Sequence, residues 1–232
     1  MAVLKNIKHI FFDLDDTLWD YESNSAKVLA ELFEEFGLEK SLKVAFADFL
    51  PKYRMVNREM WLLYSRHKIT KQQLRDERFT NTFRHFNFED LHLNRQLTRE
   101  FLQRTPREKC LKEGCHEVLA KLRSKYSLHI ITNGFNDVQS IKIENGNLRG
   151  YFENIIVSED HALNKPDEKI FRLAEQMAQA SAEECVMVGD TYESDIEGAM
   201  NAGWQAIYYT KMPVDGFEGR VIRKLGELLE IL

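Results

Sequence analysis

The sequence predicts a three-layer α/β fold, in which helices cover both faces of a parallel β-sheet, with a second, helical domain inserted after the first strand. Short apolar runs rich in β-branched and aromatic residues end at polar or glycine-containing turns, and amphipathic stretches with helical spacing separate them. Near-continuous apolar strands are typical of a parallel sheet that is buried on both faces. The first gap between runs is far longer than one crossover helix requires, which indicates the insertion.

The apolar runs predict the strands in chain order, and the stretches between them predict the crossover helices. We expect strands over residues 9–12, 128–131, 154–157, 185–188 and 206–209. We expect helices over residues 115–124, 167–177 and 194–201.

The stretch between the first two strands predicts a domain of its own. It has helical periodicity and no convincing strand; Leu29, Leu32, Phe33 and Phe36 fall on one helix face, and Gly37 follows as a stop signal. We therefore predict a helical domain over residues 20–108 and a core domain formed by residues 1–19 and 109–232.

Composition excludes several classes of protein. A net charge of −5 over 232 residues argues against nucleic-acid binding, which needs a basic face. No apolar run approaches the roughly 18 residues of a membrane span, and the opening segment reaches acidic residues too soon for a signal peptide. The 3 cysteines form no even framework and are predicted to be reduced thiols. These features predict a cytoplasmic protein without a nucleic-acid or membrane partner, and they leave the oligomeric state open.

Acidic residues follow two of the predicted strands. Asp13 and Asp15 come after the first strand, and Asp190 and Asp195 come after the fourth. Ligands collect outside the carboxyl ends of strands in open α/β sheets, so these positions are suited to function. A solvated, helix-capping turn is the less favoured alternative for the first pair, whereas Gly189-Asp190 alone is often only a helix cap.

A hydroxyl and a cation follow the other two strands of this group. Thr132, Asn133 and Gly134 end the second run, with a side chain and a flexible backbone that suit phosphate oxygens. Lys165 and Pro166 follow the third run. Each of these features alone is common, but acid, hydroxyl, lysine and acid at four successive strand ends form a specific pattern.

This pattern resembles the haloacid dehalogenase superfamily of phosphotransferases, which implies a Rossmann-like core. The matching motifs are Asp13-x-Asp15-x-Thr17, Thr132, Lys165, and Asp190 with Asp195. The helical insertion resembles the type 1 cap of that superfamily. Residues 131–134, 157–160 and 188–191 resemble the branch that contains pyrimidine nucleotidases and N-acylneuraminate phosphatases.

The resemblance implies a role for each motif residue. Asp13 would be the nucleophile and Asp15 the general acid and base. Mg²⁺ would be held by the Asp13 carboxylate, the Asp15 backbone carbonyl and the Asp190 carboxylate, with Asp195 supporting the metal-bound waters.

The phosphoryl oxygens would be held by Thr132, the backbone of Asn133, and Lys165. Charge supports this arrangement independently, because four clustered carboxylates would repel a phosphate dianion. Mg²⁺ and Lys165 would offset three of these charges, and a proton on Asp15 would remove the fourth.

The expected activity is Mg²⁺-dependent hydrolysis of a small phosphomonoester through an aspartyl-phosphate, with a nucleoside 5′-monophosphate slightly ahead of other substrates. The alternatives are a sugar phosphate phosphatase, a phosphomutase and, with less support, a 2-haloacid dehalogenase. Trp19, Tyr21, Phe135 and Asn136 adjoin the motifs as candidate leaving-group contacts, although packing explains Trp19 and Phe135 equally well. Asp16 is assigned to the turn.

Overall fold

The computed structural model describes residues 4–214 and 219–232. The chain divides into two compact units, one formed by Met1–Tyr21 with Lys109–Leu232 and the other by Glu22–Glu108. The second unit starts two residues after the predicted domain start and ends at the predicted end.

The first unit contains a six-stranded, fully parallel sheet with the strand order β3-β2-β1-β4-β5-β6. The strands are β1 (His9–Phe12), β2 (Ser127–Thr132), β3 (Asn154–Val157), β4 (Cys185–Gly189), β5 (Gln205–Tyr209) and β6 (Arg220–Ile222). The sheet confirms the predicted α/β class. The sequence analysis missed β6, a strand of only 3 residues that starts with arginine.

Helices pack on both faces of this sheet. The longer ones are α6 (Cys115–Leu122), α7 (Asn136–Asn145) and α9 (Glu168–Ala178), and the short ones are α8 (Ser158–His161), α10 (Gly198–Asn201) and α11 (Leu228–Ile231). Because side chains alternate along a strand, Ile10 and Phe12 join the cluster that contains Leu119 of α6. Phe11 joins the other cluster, with Ile170 of α9. The core therefore forms two apolar layers.

The helix expected over residues 194–201 differs from the observed structure. A π-helical segment, Tyr192–Glu197, precedes α10. Asp195 lies in this wider turn and is buried, so a side chain of the candidate site described below occupies the irregular part of the helix.

The second unit is helical. Its helices are α1 (Tyr21–Glu35, which begins at the boundary), α2 (Leu38–Leu42), α3 (Phe46–Ser65), α4 (Lys71–Arg84) and α5 (Leu91–Arg104). Leu29, Leu32 and Phe33 are buried in its aromatic-rich core, and Phe36 packs against that core partly buried. Gly37 adopts φ 59°, a left-handed conformation that favours glycine at a helix end.

Caps define the starts of two of these helices. Thr70 accepts a hydrogen bond from the Gln73 backbone while the Gln73 side chain accepts one from the Thr70 backbone, and Asp90 caps α5. Among the described residues, no helix is both long enough and apolar enough to cross a bilayer.

Candidate active site

Asp13 and Asp190 reach the same edge of the sheet because the strands that precede them, β1 and β4, are parallel neighbours. Asp13 follows β1, and its backbone N–H donates to the Val188 carbonyl at 2.9 Å. Asp190 follows β4. Asp13, Asp190 and Asp195 each offer a carboxylate oxygen, and these oxygens lie within 4.8 Å of one another.

Lys165 is held between two of these carboxylates. Its Nζ lies 2.8 Å from Asp13 Oδ1 and 2.7 Å from Asp195 Oδ1, and it donates to the Ile131 carbonyl at 2.8 Å. These acceptors use all three hydrogens of the ammonium. Lys165 is 1% exposed, so the ion pairs are shielded from water.

The side chain of Asn133 fixes the main chain around this lysine. Asn133 Oδ1 accepts from the Lys165 backbone N–H at 2.8 Å and from Ser158 Oγ at 2.7 Å, while its Nδ2 donates to the Lys165 carbonyl at 2.8 Å. The side chain therefore aligns the second and third motifs. The phosphate contact expected from the Asn133 backbone stays a prediction.

Asp195 accepts hydrogen bonds at both of its carboxylate oxygens. Its Oδ2 accepts from the Thr191 backbone at 3.0 Å, and its Oδ1 accepts from Ser194 Oγ at 3.0 Å as well as from Lys165. A methyl group at Gly189 would overlap this side chain, so glycine is required there. Because its oxygens are occupied, Asp195 is suited to an indirect role.

Asp13 and Asp190 are the carboxylates best placed to receive a cation. Asp13 Oδ1 contacts Lys165, and Asp190 Oδ1 accepts from Thr17 Oγ1 at a long 3.4 Å. Both therefore retain oxygen lone pairs, and hard carboxylate oxygens are the donors that Mg²⁺ prefers.

The charge balance of the cluster also fits a divalent cation. Burial raises the pKa of Asp13 to about 7, with Lys165 opposing the shift and Asp195 adding to it. Burial, followed by the charges of Asp13 and Asp195, also raises the pKa of Asp190 well above its ordinary range. Lys165 alone does not neutralise these acids, and a second positive charge would favour their ionised forms.

Asp15 contacts two residues that the sequence analysis missed. Lys142 Nζ lies 2.7 Å from Asp15 Oδ1 and 2.8 Å from Oδ2, and Gln139 Nε2 donates to Oδ2 at 2.9 Å. Both residues lie on α7, three positions apart, and both are buried. Their one signal in the sequence is this spacing of polar residues on a helix directly after the second motif.

Gln139 also contacts Thr132. Thr132 Oγ1 accepts from Gln139 Nε2 at 2.9 Å and from the Gly134 backbone at 3.1 Å. Because two donors fill its lone pairs, the hydroxyl hydrogen is left to donate elsewhere, as phosphate binding would require.

The other residues near the motifs serve the surrounding structure. Lys112 Nζ lies 2.9 Å from Asp16 Oδ1 and 2.8 Å from Asp20 Oδ1, which ties both acids to the turn. Trp19 and Phe135 are buried. The Trp19 ring centroid lies 4.6 Å from Lys142 Nζ.

Comparison with known proteins identifies similar chains. The model of the haloacid dehalogenase-like hydrolase family matches residues 7–203. The chain is 33% identical to pyrimidine 5′-nucleotidase YjjG of Escherichia coli, over 96% of each chain. It is 29% identical to human N-acylneuraminate-9-phosphatase, over 88% of this chain and 82% of the relative.

A solved structure shows the same fold over almost the whole chain. The putative HAD-hydrolase YfnB from Bacillus subtilis, bound to magnesium, superposes with a TM-score of 0.88 at 27% identity and covers 98% of this chain and 99% of its own. The Rossmann-like core predicted from the motifs is confirmed.

Proposed function

The chain belongs to the haloacid dehalogenase-like hydrolase family, and from this premise we propose that it hydrolyses small phosphomonoesters through an aspartyl-phosphate on Asp13. The predicted family and the predicted enzyme type, a phosphatase of this family, are confirmed. The observation that carries the mechanism is the position of Asp13 at the end of β1, paired with Lys165 and two residues before Asp15.

Asp13 is the proposed nucleophile. Its carboxylate oxygen forms a bond to phosphorus while the bond from phosphorus to the leaving oxygen breaks, and Asp15 gives that oxygen its proton. A water then attacks phosphorus, Asp15 takes the water proton, and the bond between phosphorus and Asp13 breaks. Splitting the hydrolysis in this way returns both aspartates to their starting state.

Thr132 and Lys165 are proposed to serve the phosphoryl group, Thr132 as a hydrogen-bond donor and Lys165 through its positive charge. Lys165 pairs with Asp13 and offsets part of the charge of the cluster, so the nucleophile does not face the phosphate as an isolated negative charge. The Thr132 hydroxyl has its acceptor positions filled and is therefore a donor to a phosphoryl oxygen. The Asn133 backbone is proposed as a further donor.

Asp13, Asp190 and the Asp15 backbone carbonyl are the proposed ligands of Mg²⁺, with Asp195 in the outer shell. The ion, when bound, neutralises charge on the transferring phosphoryl group. The donor set supports this proposal, because Asp13 and Asp190 keep carboxylate lone pairs, whereas Asp195 accepts hydrogen bonds at both of its oxygens.

A nucleoside 5′-monophosphate is the proposed substrate, and an acylneuraminate phosphate is the second candidate. The names of the 33% and 29% identical relatives support these two classes in that order. The helical unit, Glu22–Glu108, is proposed as the cap that recognises the leaving group. A hydrolase that retains Asp15 beside the nucleophile is suited to protonating an alkoxide, a step that replacement of halide on carbon does not need.

The test is phosphate release from a panel of nucleoside monophosphates, sugar phosphates and acylneuraminate phosphates, for the wild type and for Asp13→Asn. We expect Asp13→Asn to retain the fold and lose at least about 1,000-fold in kcat, because an amide is a poor nucleophile and a poor Mg²⁺ ligand. EDTA should silence the wild type, and added Mg²⁺ should restore it.

Acid quench of the wild type during turnover of radiolabelled substrate should trap label on Asp13. Full activity of Asp13→Asn would refute the nucleophile, and activity in EDTA, or halide release from a 2-haloacid, would favour the dehalogenase alternative. Transfer of the phosphoryl group to a second sugar hydroxyl instead of water would identify a phosphomutase.

A further inference from the structure

The carboxylate of Asp15 is held from one side by two side chains of α7. Lys142 contacts both oxygens, and Gln139 contacts only Oδ2. Lys142 and Gln139, named here the α7 clamp, are 4% and 0% exposed, whereas the Asp15 side chain remains 29% exposed. A partly open carboxylate is thus anchored by two almost inaccessible donors.

The surroundings of Lys142 limit where its ammonium can go. The ring centroids of Trp19 and Tyr21 lie 4.6 Å and 5.8 Å from Nζ, close enough for cation–π attraction. The ion pair and the rings together fix the lysine head group. A solvent-exposed lysine would lose this geometry through its flexible stem.

Gln139 donates hydrogen bonds to Asp15 and Thr132 although its own amide oxygen is buried without a hydrogen bond among the described residues. Its Nε2 donates one hydrogen to each of them, while its buried Oε1 makes no hydrogen bond among the described residues. The opposite amide orientation would turn Oε1 toward the Asp15 carboxylate and remove both donations. The two hydrogen bonds to Asp15 and Thr132 therefore set the orientation of the Gln139 amide.

Resting on the proposed function, we infer that the α7 clamp positions Asp15 for proton transfer. Oδ2 accepts from two donors and is the anchored oxygen, whereas Oδ1 accepts only from Lys142 and keeps a lone pair that can carry the proton that Asp15 gives to the leaving oxygen and takes back from water. Through Thr132, Gln139 also links the position of this acid to that of the phosphoryl ligand. Lys142 and Gln139 are positioning residues in this scheme.

The experiment compares two classes of leaving group in the full chain with Mg²⁺. The variants are Lys142→Met, which keeps the stem and removes the charge, Lys142→Arg and Gln139→Met. The substrates are p-nitrophenyl phosphate, whose leaving group needs little protonation, and an alkyl phosphomonoester. Lys121→Met is the matched control, because Lys121 forms an exposed pair with Glu117.

We expect Lys142→Met to lower kcat/KM for the alkyl ester by about 100-fold and for p-nitrophenyl phosphate by less than about 5-fold, since general acid catalysis contributes on this scale. Lys142→Arg should recover most of the alkyl activity. Gln139→Met should show the same selectivity with a loss of about 10-fold. Lys121→Met should match the wild type.

Equal losses on both substrates in folded Lys142→Met, or no loss, would overturn the inference and assign Lys142 to phosphate binding or packing. If Lys142→Met does not fold, the selectivity of Gln139→Met decides in the same way. Asp15→Asn measured in parallel separates the two proposals. If it loses both activities equally, the role proposed for Asp15 fails; if it discriminates and the clamp variants do not, only the clamp fails.

Discussion

The two buried lysines of the first unit, Lys165 and Lys142, show how similar ion pairs serve different ends. Each contacts one carboxylate of the Asp13-x-Asp15 motif, and the two lysine side chains are only 1% and 5% exposed. Lys165 lies between two carboxylates that are themselves buried and donates its third hydrogen to a backbone carbonyl. Lys142 faces a single, partly exposed carboxylate and two aromatic rings.

From this difference we expect the burial of the carboxylate to decide how much stability depends on the lysine. Removing one member of a buried pair leaves a charge that water cannot reach. A carboxylate at the surface of the site is rehydrated when its partner is lost. Lys165 should therefore matter for both folding and activity, whereas Lys142 should matter mainly for activity.

The largest expected effect is that of Lys165→Met. The substitution leaves the buried carboxylates of Asp13 and Asp195 without their positive partner. We therefore expect the free energy of unfolding to fall by about 3–5 kcal/mol and Tm by roughly 10 °C. Lys142→Met should cost only about 1 kcal/mol. Urea unfolding of both variants, with wild type alongside, measures the difference.

Equal destabilisation by Lys165→Met and Lys142→Met would break the comparison, because carboxylate burial would then not control stability. Phosphate release should also vanish in Lys165→Met, even at temperatures where the variant is folded. Retained activity there would remove Lys165 from the proposed set of phosphoryl ligands.

The sequence was enough to predict Lys165 but not Lys142. Lys165 comes after β3 and the short helix α8, and parallel strands bring their carboxyl ends to one edge, so its neighbours could be inferred from the order of the motifs. Lys142 lies in the interior of a helix, where lysines usually face solvent. Its burial depends on the rings of Trp19 and Tyr21, which are distant in the chain.

Other features could not be predicted from the sequence, for related physical reasons. The three-residue β6 is too short to show periodicity. The π-helical turn that carries Asp195 has the same apolar spacing in sequence as an ordinary helix, and the overlap between Gly189 and Asp195 appears only in three dimensions. Strands and motif positions follow from local pattern, whereas side-chain networks require the packed structure.

His129 is a contrasting buried base, which pairs with no carboxylate among the residues that the structure describes. His129 of β2 is wholly buried, with His9 on one side and Asn154 on the other. Burial, reinforced by His9, lowers the pKa of His129 from 6.5 to about 4. Lys165 is kept charged by neighbouring acids, while His129 is kept neutral.

Between pH 6.5 and pH 4 the unfolded chain binds a proton at His129 that the folded protein does not bind. Stability from the neutral ring is complete above the unfolded pKa and is lost as the pH falls toward the folded pKa. This site should cost about 2 kcal/mol between pH 7.5 and pH 5.0. Urea unfolding at both pH values should show a flatter dependence for His129→Gln, while the exposed control His161→Gln keeps the wild-type dependence. Parallel curves for His129→Gln and wild type would contradict the assignment.

The smallest expected effect is that of Gly134→Ala, which is compared with Gly189→Ala because each glycine lies beside one of the two lysine networks. A methyl group at Gly189 would overlap the Cβ and carboxylate of Asp195, whereas a methyl group at Gly134 would overlap the outer part of the Gln139 side chain. Atoms near a backbone give way less easily than the end of a long side chain. We therefore expect Gly189→Ala to cost about 3 kcal/mol of stability and Gly134→Ala about 1 kcal/mol. Gly150→Ala is the control, because nothing lies within 4 Å of its added methyl group.

In activity, Gly134→Ala should reproduce the alkyl-selective loss of Gln139→Met, since it displaces the same amide, while Gly189→Ala should lower turnover of alkyl and p-nitrophenyl phosphates alike. Both are read from kcat/KM on the two substrates together with urea unfolding. A Gly134→Ala variant that loses both activities equally would show that the Gln139 network and the Lys165 network act as one unit, and the distinction between the two lysines would have to be abandoned.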